Sequence, residues 1–205
     1  MSGKLIVLGA LALLAVPSLA AAQGGPPPPP PPPGYGPSPG AAIIGPDRSG
    51  MTFELSLGLG ITQITADGPN GSASDSFNGL SGLNVGVGGW ISPKTALTVR
   101  IAGTSFTQSF DGFGDVQYIA GVLALSGQQM LNENAWVGVG LGIGILTTDQ
   151  DNVDPESGLG LDLRGGYNFY QSAKNAFNVA VEITPGFFDG GRVTGIGLQL
   201  GWQSL

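Results

Sequence analysis

Five charged residues stand where charge is otherwise scarce: Glu54, Arg100, Asp162, Arg164 and Glu182. Each lies in a run of alternating apolar and polar residues, on the polar side. Charged residues make up 10% of the 205-residue chain, against ~25% in soluble domains. A carboxylate pair such as Asp162 with Glu182 could transfer protons. A line of charges inside a membrane protein could conduct ions. Acids and guanidiniums could also simply satisfy one another, because a buried charge must be paired. Arg164 beside the carboxylates would keep both ionised, which removes the general acid. The chain has no histidine and no cysteine, so the commonest general base, the commonest metal ligand, the thiolate nucleophile and the disulfide framework are all missing. The expectation is a non-enzyme with no cofactor and no metal centre. The five charges should form a structural network that plugs an interior, with Arg100 reaching between Glu54 and Glu182. A narrow ion path is the alternative.

A second acidic group lies in "DQDNVDPE": Asp149, Asp151, Asp154 and Glu156. Oxygen ligands suit hard cations, so this run is a candidate weak divalent-cation loop. The EF-hand pattern fails, because Asp154 stands where the turn glycine belongs. A solvated loop is the simpler reading.

The elements that carry these residues are strands. In "WVGVGLGIGIL" (136–146) alternate residues are glycine and aliphatic. The stretch is too short for a spanning helix, which needs ~20 apolar residues, and its glycines would each cost a helix roughly 1 kcal/mol. Period two predicts a strand with Val137, Val139, Leu141, Ile143 and Ile145 on one face. The same period marks strands at 51–61, 83–90, 95–106, 116–127, 159–170, 177–184 and 196–202. The register of 116–127 stays open, since it is apolar on both faces. Eight strands of about ten residues suffice for the smallest membrane barrel. A soluble secreted β-sandwich acting as a binding module would alternate in the same way.

Three features favour the barrel. The connections alternate long and short: "TADGPNGSASDS", "TQSFDGFGD", "TTDQDNVDPESG" and "FFDGGR" against "SPK", "LNEN" and "QSAKN". The long set carries nine acids against Arg192 alone, while the short set holds Lys94, Lys174 and Glu133. Aromatics gather at strand ends: Phe53, Tyr167, Phe169, Phe177 and Trp202 by the short turns, and Phe77, Phe106, Tyr118 and Phe187 by the long loops. Two such belts flanking an aliphatic band mark a membrane barrel. The glycine stripe of 138–144 then faces a narrow lumen, where it leaves room for a long side chain, Arg164. The first loop is so rich in small residues that it should move freely.

The N-terminus reads as a secretory signal. Lys4 precedes the apolar run Leu5–Val16, and "AAAQ" offers cleavage after Ala22. Loss of Lys4 takes the net charge from −7 to −8, which argues against nucleic acid as a partner. Residues 23–49 follow, with "PPPPPPPP" at 26–33. Such a run forms a stiff polyproline spacer, and the whole segment reads as a disordered arm. The division is 1–22 signal peptide, 23–49 arm and 50–205 barrel.

The signal peptide, the eight alternating strands, the acidic outer loops and the terminal "GLQLGW" resemble the OmpA-like and OmpX-like eight-stranded outer-membrane barrels of Gram-negative bacteria. The resemblance covers residues 50–205. It implies an all-β, antiparallel up-and-down transmembrane barrel, monomeric, in contact with outer-membrane lipid and lipopolysaccharide, with the arm in the periplasm. It also implies that Gly197, Leu200 and Trp202 are the signal read by the barrel-insertion machinery, although here "QSL" follows the aromatic. Charged pairs closing the lumen are a further feature of the resemblance. The implied role is structural, in envelope integrity, or in presenting loops to a partner outside.

Overall fold

A computed structural model describes residues 46–69, 71–110, 114–150 and 153–205. The signal peptide and all but the last four residues of the arm lie outside the described residues. Eight strands run in chain order: β1 Gly50–Gly68, β2 Gly71–Ser92, β3 Thr95–Phe110, β4 Gly114–Met130, β5 Ala135–Thr148, β6 Glu156–Gln171, β7 Asn175–Phe188 and β8 Gly191–Ser204. Each pairs antiparallel with its neighbours, and β1 pairs with β8 from Glu54↔Gln203 to Ala66↔Gly191, so the sheet closes on itself. Closure leaves no two-sheet sandwich and sets that alternative aside.

Alternation decides which way each side chain points. The aliphatic stripe of β1 faces out, with Leu57 56% and Leu59 69% exposed, and the same holds for Val139 and Leu141 on β5. A soluble fold would bury such a band; in a bilayer it is the contact surface. The register left open on β4 is now fixed: Val122, Ala124, Ser126 and Gln128 point inward, while Leu123 and Leu125 point out. Between 116 and 124 the inner face carries Val116, Ala120, Val122 and Ala124, which is why both faces read as apolar.

The strands are 14 to 22 residues long, well beyond the ten that span a membrane. Three of the long loops are therefore mostly strand. The first was expected to move freely, yet β1 and β2 stay paired up to Gly68↔Gly71, with Ser72 donating to Asp67 Oδ1 at 2.7 Å and Gln63 to Ser74 at 3.2 Å. Backbone pairing supplies the order that small side chains do not. Gly71 has φ +118°, which a side chain would resist. A bulge explains why the sequence pattern failed here. Ser56 pairs with Asn84 but Gly58 with Ser81, so β2 carries one extra residue. Leu80 and Leu83 both face out and Ser81 and Asn84 both face in, which breaks strict period two.

Two belts were expected, and only the short-turn one stands as read: Phe53, Tyr167, Phe169 and Phe177 are exposed, and Trp202 lies 5.9 Å from Phe53. On the other side Phe187 faces out. Phe77, Phe106 and Tyr118 do not. They stack along the lumen wall at 5.0 and 5.1 Å, with Phe106 only 2% exposed. The bulge moves Phe77 to the inner phase, and Phe106 and Tyr118 share the inner phase of Arg100 and Ser126. At the opposite end Trp90, Met130, Trp136 and Leu205 make a small buried cluster inside the barrel.

The last part of the arm is not loose. Asp47 N–H donates to Ala173 O at 2.9 Å, and Arg48 donates to Glu133 O at 2.7 Å and Gln171 Oε1 at 2.8 Å. Residues 46–49 thus lie across the short-turn rim, correcting the expectation that disorder extends to 49. The unsatisfied carbonyls of two turns give the segment something to bind.

Candidate functional site

The five charges meet in the middle of the lumen, and Arg164 and Glu182 are direct partners across β6 and β7. Glu54 comes from β1, Arg100 from β3, Asp162 and Arg164 from β6 and Glu182 from β7. Arg100 is the hub. Its Nη1 lies 2.9 Å from Asp162 Oδ2, its Nη2 3.1 Å from Glu182 Oε2 and its Nε 3.1 Å from Glu54 Oε2. The last contact is an ion pair without the alignment of a hydrogen bond. Arg164 Nη1 donates to Glu54 Oε2 at 2.6 Å, and its guanidinium lies 5.3 Å from the centre of the Trp136 ring. The expected span of Arg100 between Glu54 and Glu182 is present, and Asp162 is an additional partner.

All five side chains are less than a tenth exposed. Charges so far from water are costly, and the arrangement persists only because each meets its opposite and further hydrogen bonds fill in. Those come from neutral residues that the sequence reading did not single out. Asn84 donates to Glu182 Oε1 at 2.8 Å and accepts from Gly103 N–H at 3.0 Å. Gln203 donates to Glu54 Oε1 at 3.3 Å, and Trp136 donates to Asn168 at 3.1 Å. Gln199 joins Ser56 to Ser81. Their only signal in the sequence is their place on the polar face of a strand.

Glycines make the space. Gly86 pairs with both Glu54 and Arg100, and a Cβ there would come 2.9 Å from Arg100 Cγ and 3.0 Å from Glu54 Oε2. Gly138 pairs with Arg164, and its Cβ would lie 2.7 Å from Arg164 Nε. Gly140 stands beside Asp162 and Gly197 beside Glu182. The glycine expected to make room for Arg164 is Gly138. Gly142 serves another purpose, since its Cβ would clash with the Leu123 carbonyl of the adjoining strand.

Around the network the free space is a cavity of about 20 Å³, bordered by Glu54, Arg100, Trp136, Arg164, Glu182 and Gln203 among others. That is room for one water molecule. Asp162 Oδ1 and Arg164 Nε have no hydrogen-bond partner among the described residues.

Of the other candidate residues that the structure describes, Gly197 alone faces the lumen. Asp149 Oδ1 accepts from Gln117 N–H at 2.9 Å, and Glu156 is the first residue of β6. Asp154 is exposed, and Asp151 lies outside the described residues. Among the described residues no three carboxylates gather as a metal site. Leu200 faces out and Trp202 donates to Asn175 at 3.0 Å. Gly197 faces the lumen, with Ser81 Oγ 2.8 Å from where its Cβ would be.

No protein-family model matches the sequence, and neither does any curated protein. Solved structures do match in fold. The attachment invasion locus protein Ail of Yersinia pestis aligns at 18% identity, covering 76% of this chain and 99% of its own, with a TM-score of 0.50. Ail in complex with the heparin analogue sucrose octasulfate aligns at 14% identity, covering 75% and 99%, also at 0.50. Neisserial surface protein A aligns at 13% identity, covering 76% and 97%, with a TM-score of 0.53. The strand count, the antiparallel closure, the outward aliphatic band and these matches give one conclusion: the chain has the fold of the small eight-stranded outer-membrane β-barrels of Gram-negative bacteria.

Proposed function

We propose that this is a non-enzymatic outer-membrane barrel with a plugged lumen, serving envelope integrity or presenting its hairpin tips to an outside partner. The observation that carries the plug is Arg100, bonded at once to carboxylates from β1, β6 and β7. A side chain so held ties three parts of the wall together across the axis, with space beside it for only one water. Every lumen carboxylate has a guanidinium within 3.1 Å, which leaves no free general acid.

The short-turn rim with the arm belongs in the periplasm and the acidic tips outside. Gly197, Leu200 and Trp202 would act as the insertion signal during assembly. The tips carry Asp67, Asp75, Asp154, Glu156 and Asp189, the wrong sign for a sulfated polyanion such as the one in the Ail complex. An outside partner of this barrel would be neutral or basic.

The test is conductance of the refolded barrel in planar bilayers. The expected result is no steady current. Large, stable channels would overturn the plug. A narrow cation path is the second reading, favoured by one observation: three carboxylates face two guanidiniums, which leaves an excess negative charge.

A further inference from the structure

Three carboxylates and two guanidiniums share the lumen network, so one negative charge is left over inside the barrel. Its place follows from how the arginines are used. Glu54 meets both of them, 2.6 Å from Arg164 Nη1 and 3.1 Å from Arg100 Nε. Arg164 stands across from Glu182 in the register of β6 and β7, yet its guanidinium is turned to Glu54, and among the described residues it forms no ion pair with Glu182. Glu182 therefore has only a share of Arg100, whose other nitrogens serve Asp162 and Glu54. A buried charge left without a counter-charge is costly.

The cavity beside the network opens at this carboxylate. Glu182, Glu54, Gln128 and Asn178 all border it. Gln128 is the informative neighbour. It is 1% exposed, its Nε2 donates to Gln203 Oε1 at 3.2 Å, and its Oε1 has no partner among the described residues. A buried acceptor left unmatched carries its full desolvation cost. The unmatched Nε atoms of Arg100 and Arg164 at least face carboxylates, at 3.1 and 3.7 Å. The Gln128 oxygen has no such compensation. At about 20 Å³ the cavity takes one particle the size of a water molecule. Water would answer the orphan oxygen but not the charge. An anion would double the excess, and a divalent ion would overshoot it beside two guanidiniums.

We propose that the plug holds a monovalent cation of about sodium's size in this cavity, bound by Glu182, Glu54 and the amide oxygen of Gln128. Hard cations take oxygen ligands, and these three side chains offer carboxylate and amide oxygens from β7, β1 and β4. The charge then balances, three carboxylates against two guanidiniums and one ion. The ion ties β4 to β1 and β7, as Arg100 ties β3 to its own partners, so it is a fixed part of the plug and not cargo passing through it. The proposal rests on the plugged-lumen reading above.

The test refolds the mature barrel in detergent and follows its unfolding midpoint as sodium chloride replaces N-methylglucamine chloride at constant ionic strength. A cation bound only by the folded state raises the midpoint by mass action, so a rise of several degrees that continues with the logarithm of sodium concentration is expected. Glu182→Gln removes the excess charge and should abolish the dependence. Gln128→Met keeps the charge and the bulk but removes the oxygen, and should weaken the apparent sodium affinity several-fold; it decides the matter if Glu182→Gln does not fold. A wild-type midpoint indifferent to sodium would overturn the site. So would a midpoint that follows pH but not sodium, since a proton would then balance the charge. Full sodium dependence in both variants would also overturn it, by placing the ion elsewhere. Planar-bilayer recording on the same preparation reports the plug separately: large steady channels sink the plug itself, whereas a silent barrel without sodium dependence sinks only the cation.

Discussion

Arg100 shows how far single residues could be read from the sequence. Charges inside otherwise uncharged strands stand out by scarcity alone, and all five were visible in this way. Their partners were partly visible too, because a lumen only one side chain wide forces contact between opposite walls. Asp162 as a ligand of Arg100 was not visible, nor was the cradle at Gly86, since both depend on stagger between strands. Arg100→Ala leaves Glu54, Asp162 and Glu182 with Arg164 alone. Breaking a buried pair by removing one partner costs about 3–5 kcal/mol. The expected outcome is a marked fall in unfolding temperature, or a small cation-preferring current as water fills the gap. A variant as stable and as silent as wild type would show that Arg100 does not hold the network. Glycines give a sharper contrast. Gly142→Leu must displace the Leu123 carbonyl of the neighbouring strand, and folded yield in detergent should drop severely. Ile143→Leu on the outer face should cost under about 1.5 kcal/mol.

At the scale of strands, type and facing were legible and extent was not. Alternation gave the outward stripe of β5 directly, and Leu141 is 57% exposed on it. Leu141→Arg should therefore impair insertion, since arginine near the bilayer midplane costs a barrel roughly 2–4 kcal/mol. Unchanged folding yield in lipid vesicles would contradict the facing. The ends of strands escaped because outside the membrane both faces meet water, so the pattern that reports burial disappears while backbone pairing goes on. Small and polar residues at 62–76 looked like a loop for that reason, and the bulge at β2 hid the phase. The same bulge put Phe77 outside, whereas Phe106 lies in the phase of Arg100 and Thr104 and alternation alone would have turned it inward. Hydrogen exchange separates the two descriptions. Amides of the β1–β2 hairpin at 64–68 and 71–74 should exchange orders of magnitude more slowly than an open loop. Exchange there at the free-peptide rate would restore the mobile loop.

On the scale of the molecule, closure and its chemistry run from end to end. An apolar cluster around Trp90 and Trp136 fills the short-turn end, the charge network fills the middle, and the Phe77–Phe106–Tyr118 stack lines the wall toward the tips. The segment at 46–49 adds to the first of these. Arg48 lies 5.9 Å from the centre of the Trp90 ring while it bonds to Glu133 O and Gln171. Sequence alone could not assign that role, because a lone arginine after a glycine- and proline-rich stretch has no pattern to place it. The consequence is a boundary that truncation can find. Deleting 23–45 removes no described contact, and the barrel should fold and melt as the mature chain does. Deleting 23–49 also removes the three hydrogen bonds to the rim. At about 1 kcal/mol for each bond, partly offset by the freed chain entropy, the loss is on the order of 2 kcal/mol. For a chain of this size that lowers the melting temperature by about 4–8 °C. Heat-modifiable migration over a temperature series measures the difference. Equal midpoints for both truncations would show that Arg48 rests on the rim without stabilising it, and a loss of folding already at 23–45 would assign the arm a part in assembly. Arg48→Ala in the full mature chain should reproduce most of the longer deletion's shift, because two of the three bonds are its own.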